Sequence, residues 1–217
     1  MNRRALVLLT GLFSIAFFAG GTVYYRNAQA ERARIVAETR AEAMVRDHSP
    51  VIGPANAPVT IVEFFDPSCE ACRAFYPPVK QILSMFPQDA RLVIRYTPFH
   101  ASSEVAVRLL EAARMQDKFV PVLEALLEFQ PEWADDSNPD TDKAWQRAAA
   151  AGLDIERAKK DGASASVQAT LDKDMADVKT LEISRTPTFF VNGKPLKQFG
   201  PKPLYDLVKE EVEQARR

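Results

Sequence analysis

The sequence predicts an α/β fold built from a parallel strand–helix–strand unit, a long helical insertion, and a closing β-hairpin and helix. Three observations carry this reading. An apolar run from Val59 to Phe65, broken only by Glu63, leads into a helical stretch and then a second apolar run, Arg91 to Thr97. At that separation the two strands pair in parallel through a right-handed crossover. From Ser102 to about Thr180 apolar residues recur at helical spacing, over a length that exceeds any ordinary loop. Thr188-Phe-Phe-Val191 then runs into Asn192-Gly193, a strong hairpin turn signal.

Taken in order, the chain opens with Asn2-Arg3-Arg4 and an uncharged run of 21 residues, Ala5 to Tyr25. At about 1.5 Å per helical residue such a run reaches roughly 30 Å, a bilayer core. Tyr24, Tyr25 and Arg26 suit the interface. Residues 1–30 are therefore expected to be a signal-anchor, with residues 5–25 in the lipid bilayer and the rest exported. The alternative is a cleaved signal ending at Ala28-Gln29-Ala30. Residues 31–50 are rich in Ala, Glu and Arg and read as a helical linker or stalk. A thin apolar face at Ala33, Val36, Ala37, Ala41, Met44 and Val45 leaves room for a homo-oligomer through residues 30–48.

Asp47-His48-Ser49-Pro50 and Gly53-Pro54 break that helix and open the domain, residues 51–217. Val59 to Phe65 suits a central strand covered on both faces. The helix after it is expected to run to about Met85 unless Pro77-Pro78 interrupts it. The insertion, residues 101–180, carries helical pieces around Val105–Ala113, Phe119–Leu127, Trp145–Ala151, Ile155–Lys160 and Val167–Val178. Its Lys, Arg and Glu residues read as a solvated surface, and His48 as solvated linker. Pro195 to Phe199 is expected to pair back as an edge strand, and Pro201 to about Gln214 to form the last helix around Leu204, Leu207, Val208 and Val212.

A net charge of −1 gives no nucleic-acid footprint. The two cysteines, Cys69 and Cys72, are the only ones in the chain, which excludes a structural disulfide framework. They stand where strand passes into helix. A helix N-terminus offers unpaired N–H groups and a partial positive charge that stabilise a thiolate on Cys69. Cys72 follows about one turn later, within reach to close a disulfide and less exposed. His100, Trp133, Phe75 and Tyr76 are secondary candidates, each more readily read as packing.

Val59-Thr-Ile-Val-Glu-Phe-Phe-Asp-Pro-Ser-Cys-Glu-Ala-Cys72 and Thr186-Pro187-Thr188-Phe-Phe-Val-Asn-Gly193 together carry a resemblance, with weaker support from Tyr96-Thr-Pro-Phe-His100 and the final helix. Over about residues 50–215 the chain resembles the DsbA-like family of extracytoplasmic thiol-disulfide oxidoreductases. The resemblance implies a thioredoxin fold with an inserted helical subdomain. It implies catalysis by Cys69 and Cys72, with Glu63 as a buried acid whose desolvation lets it trade protons with Cys72. Pro187 matches the family's cis-proline, with Thr186 and Pro187 aligning the substrate backbone. Glu70-Ala71 departs from the Cys-Pro-His-Cys of the strongest oxidases. Its negative charge is expected to keep the Cys69 pKa above theirs and the couple less oxidising.

The expected function is disulfide exchange with cysteine-containing proteins, oxidase ahead of isomerase and reductase, with no cofactor and a membrane redox partner for recycling. The resemblance places the anchor in a bacterial inner membrane and the catalytic domain in the periplasm. Rival readings are Cu(I) or Zn(II) binding by the two thiolates, short of the four ligands a closed zinc site needs, and a non-catalytic module that holds unfolded chains.

Overall fold

The protein, as a computed structural model, describes the backbone of residues 3–217 and the side chains of residues 20–22 and 24–217. Two compact units, Met1–Glu42 and Ala43–Arg217, divide the chain. Helix α1 (Arg3–Met44) occupies the first unit and continues without a break through the expected join between anchor and stalk. Its polar half carries an exposed Arg34–Glu38 pair at 2.8 Å, one turn apart. Among the described residues no helix is long and apolar enough to cross a membrane. Residues 5–19 and 23, most of the run read as an anchor, lie outside the described side chains.

The second unit begins at Ala43, ahead of the boundary expected at residue 51. Its sheet has five strands in the order β1-β3-β2-β4-β5. These are β1 (Val51–Ile52), β2 (Val59–Phe65), β3 (Ala90–Tyr96), β4 (Thr188–Val191) and β5 (Lys194–Pro195). Strands β2 and β3 pair in parallel, Glu63 opposite Ile94, as the crossover through helix α2 (Glu70–Met85) requires. Antiparallel β4 covers the other side of β2, Glu63 opposite Phe189. Asn192 and Gly193 take positive φ of 47° and 79°, the left-handed pair a two-residue hairpin needs. The edge strand, Lys194–Pro195, is shorter than the expected Pro195–Phe199, and the last cross-strand bond runs from Leu196 N–H to the Phe189 carbonyl at 3.0 Å. The short strand β1, which the breaker-rich sequence hides, adds to the opposite edge.

Pro77 and Pro78 lie inside α2 without ending it. Each costs roughly 3 kcal/mol. The stripe Cys72, Phe75, Tyr76, Val79 and Ile82 is buried, at about 1.5–3 kcal/mol for each large apolar side chain. Burial wins. The insertion comprises α3 (Ser103–Arg114), α4 (Phe119–Glu128), α5 (Gln130–Trp133), α6 (Thr141–Ala150), α7 (Ile155–Gly162) and α8 (Ala165–Thr180), and α9 (Pro201–Ala215) closes the chain. Trp133 is fully buried and donates from Nε1 to the Leu126 carbonyl at 2.9 Å, so it is core rather than groove.

Strand alternation sorts the two faces of the sheet. Ile61, Glu63 and Phe65 of β2 point to the face where α2, α3 and α9 build the main core. Val62, Phe64, Val93 and Phe190 point the other way, against Val178, Leu181 and Ala43. The second face also holds buried charge. Arg95 is fully buried and its guanidinium lies 2.7 Å from both Asp174 and Asp177. Asp174 also accepts from the Tyr96 N–H at 2.8 Å and meets His48 Nε2 at 2.7 Å. Arg46 completes the cluster at 2.8 Å from Asp177. His48 is thus docked, not solvated, and Glu111 is likewise buried against the Tyr96 hydroxyl.

Removing one partner of a buried pair leaves the other charge uncompensated, a loss of about 3–5 kcal/mol. Asp174→Ala should lower unfolding stability by that amount, read from urea titration. Burial raises the Asp177 pKa, but hydrogen bonds and charge from Arg46 and Arg95 outweigh it and hold it below the ordinary value. That contribution is present above the unfolded carboxylate range and is lost as pH falls through the folded value. Wild-type stability should therefore drop below about pH 4, and Asp177→Asn should flatten that drop.

Candidate active site

Strand β2 ends at Phe65, and Asp66-Pro67-Ser68 turns the chain into α2. Cys69 is the N-cap, with extended backbone at φ −76° and ψ 122°. Its N–H donates to the Asp66 carbonyl at 3.1 Å and its own carbonyl accepts the first helical bond, from Arg73, at 3.1 Å. The sulfur is thereby aimed at the helix's unpaired N–H groups. Cys69 is 7% exposed and Cys72 is fully buried, both as free thiols.

The Cys69 pKa falls to about 5. The Cys72 thiol, donating to the Cys69 sulfur, is the largest cause; burial opposes it, and the Thr186 side chain and the N–H groups of Cys72 and Ala71 add to it. Cys72 moves far the other way. Burial dominates, reinforced by its bond to Cys69 and by the charges of Glu63 and Cys69. Near neutral pH the pair is one thiolate and one thiol.

Glu63 lies on the same face as Cys72, 1% exposed in the central strand, and its Oε1 has no hydrogen-bond partner among the described residues. Burial first, and the Cys69 charge second, push its pKa to about 8. It holds a proton at neutral pH beside a sulfur that gains and loses one. The Thr186–Pro187 peptide is cis, and the Thr186 carbonyl stands 3.4 Å from Cys69 Sγ, accepting from that sulfur when it is protonated. Glu70 is exposed in the first turn of α2 and Ala71 is half-buried. The structure thus brings Cys69, Cys72, Glu63, Thr186 and Pro187 together and leaves Glu70 at the rim, where water screens its charge.

Four further residues shape the site. Asp66 is fully buried and accepts from Ser68 N at 2.8 Å, Phe99 N at 2.7 Å, His100 N at 3.2 Å and the Ser103 hydroxyl. It also meets His100 Nδ1 at 2.7 Å. Gln130 of α5 donates to the Pro67 and Cys69 carbonyls at 2.7 and 3.0 Å, so the insertion clamps the cysteine turn. Ser68 bonds Ser102 at 2.9 Å. An Asp-Pro-Ser directly after an apolar strand is a legible turn signal. Its partners 33 or more positions away are not. A cleft of about 580 Å³ opens beside Cys69, lined also by Ala71, His100, Gln130, Asp135 and Asp136. Among the described residues no group of three or more His, Cys, Asp or Glu could hold a metal ion.

Thiolate absorbance near 240 nm in the reduced protein should titrate with a midpoint near pH 5 and vanish in Cys69→Ser. In that variant Glu63 should lose the smaller cause of its shift and titrate below 8 yet above 4.5, because burial remains. Carboxyl carbon NMR reads both values.

A family model described as "Thioredoxin" matches residues 46–210. A thioredoxin-like oxidoreductase from Silicibacter pomeroyi is 29% identical, with a TM-score of 0.67 over 79% of this chain and 94% of that one. Oxidised BdbD from Bacillus subtilis is 25% identical, with a TM-score of 0.68 over 76% and 94%. A relative named Na(+)/H(+) antiporter NhaA 1, from Mycolicibacterium gilvum, is 32% identical over 171 residues, 76% of this chain but 26% of that protein. The chain spans about a quarter of the length of the antiporters it matches, so the likeness is to one portion of them. With a thiolate–thiol pair at a helix N-terminus on this fold, the chain belongs to the thioredoxin family.

Proposed function

We propose that the chain is an extracytoplasmic thiol oxidase that places disulfides in cysteine-containing proteins. The observation that carries this is Cys69 at the N-cap of α2 with Cys72 buried one turn on, an arrangement that lowers the Cys69 pKa to about 5. A stabilised thiolate favours the reduced enzyme, and a low-pKa sulfur leaves readily, so the Cys69–Cys72 disulfide gives up its oxidising equivalents easily.

A substrate thiolate attacks Cys69 Sγ of the disulfide, breaking the S–S bond and releasing Cys72. Protonated Glu63 gives Cys72 its proton and recovers one from solvent. A second substrate thiolate attacks the substrate sulfur of the mixed disulfide and expels Cys69 as thiolate. Two electrons pass from substrate to enzyme, and of the two substrate protons one is retained on Cys72. Thr186 and Pro187 receive the substrate backbone, the Thr186 carbonyl acting as an acceptor beside the reacting sulfur. Glu70 and Ala71 tune the couple, Glu70 by opposing the thiolate from the rim.

The apolar run at residues 5–25 anchors the chain in lipid, with the arginines ahead of it on the inner side, and a membrane redox partner reoxidises the dithiol. Of residues 31–50, the part ahead of Ala43 serves as a stalk. Ile35 and Val36 stand exposed on it, and self-association there would cluster active sites and turn the reading toward isomerase. Molar mass in solution decides between the two.

The Cys69–Cys72 potential, measured against glutathione, should lie above the roughly −270 mV of thioredoxin; a value at or below it would overturn the oxidase reading. Glu70→His should raise it further. Cys72→Ser should accumulate a mixed disulfide with a disulfide-bonded substrate protein, its Cys69 thiolate attacking one substrate sulfur and releasing the other as thiolate, whereas Cys69→Ser should not. Glu63→Gln should slow turnover on the order of 10²-fold at neutral pH without abolishing the thiolate.

A further inference from the structure

The cleft beside Cys69 is lined by Glu70, Asp135 and Asp136, and among its described lining residues only His100 can carry a positive charge. His100 reaches it from the loop after β3, where Asp66 fixes the ring. Every group that Asp66 meets is an N–H or O–H, five in all counting the imidazole, so the side chain accepts throughout as a carboxylate does. That pins the proton of the neutral ring on Nδ1 and leaves Nε2 as the open acceptor, 4.0 Å from Asp136 Oδ2. The ring is 28% exposed, so water reaches it, while the Asp66 side chain is fully buried.

We infer that Asp66 and His100 form a positioning dyad whose imidazolium is the counter-charge of the Cys69 thiolate, doing across the cleft what the Glu70-Ala71 dipeptide cannot. The groups facing His100 are Asp66 from the β2–α2 turn, Asp136 and Asp135 from the loop after α5, and Cys69 and Glu70 from the start of α2. Partial burial lowers the His100 pKa, but Asp66, Asp136 and the Cys69 charge outweigh it and the value is raised. This rests on Cys69 and Cys72 being the redox couple. When substrate reduces that couple, two electrons enter the S–S bond, one substrate proton ends on Cys72 and the other passes to His100 Nε2 instead of solvent. Thiolate and imidazolium thus form together, and the potential gains a pH dependence at the histidine.

The test compares wild type, His100→Gln and His100→Lys in full-length protein. In His100→Gln the Cys69 acid dissociation constant, from 240 nm absorbance, should fall about tenfold, and the equilibrium with glutathione should shift in step toward the oxidised enzyme. His100→Lys should restore both. In the unmutated protein the His100 ring proton should titrate at higher pH when reduced than when oxidised, and at lower pH in Cys69→Ser, which keeps the test open if a His100 variant misfolds. An unmoved thiolate midpoint in His100→Gln, or a ring that titrates alike with and without the thiolate, overturns the dyad. A wild-type protein that forms no disulfide overturns the redox reading instead, and the comparison with Cys69→Ser still decides the dyad.

Discussion

The structure depends on keeping one sulfur anionic where little water reaches it. Cys69 can lose its proton because the end of α2 supplies two backbone N–H groups, Cys72 a thiol and Thr186 a side-chain hydrogen bond, against the opposing penalty of burial. Each donor comes from a different constraint. The N–H groups need the chain to turn sharply out of β2, the thiol needs a helical turn between the cysteines, and Thr186 needs β4 beside β2. None would hold if the turn at 66–68 were free to move.

Asp66 and Gln130 remove that freedom. Asp66 ties the β2–α2 turn to the loop after β3, and Gln130 fastens two carbonyls of the turn from the insertion. The inserted helices are therefore part of the site as well as a cover for it. On the opposite face Arg95, Asp174 and Asp177 lock β3 to α8 through charges that burial makes unforgiving. Both faces use one device, a buried carboxylate satisfied by donors from separate segments.

Protons are sorted by the same logic of solvation. Glu63 and Cys72 are desolvated on one side of Cys69 and hold protons at neutral pH. Glu70 and Asp136 on the other side stay in water, where their charges are screened. The Cys69 sulfur thus stands between a dry side that stores protons and a wet side open to the cleft.

Much was legible before any coordinates. Alternation and apolar runs placed β2, α2, β3 and β4, because a buried strand and a helix face leave different periods in sequence. The cysteine pair, Glu63, and Thr186-Pro187 were legible as residue types at fixed places in those elements. Strand β1, the docking of His48 on Asp174, and the buried charges of Arg95, Asp177 and Glu111 were not. A charged residue carries the same letter in water and in the core, and only the packing of distant segments says which. By itself the sequence determined the order of elements and the place of the two cysteines at the start of α2. The tertiary structure alone decided which carboxylates are dry, which histidine faces the cleft and what holds the cysteine turn, since each of these is a contact between residues tens of positions apart.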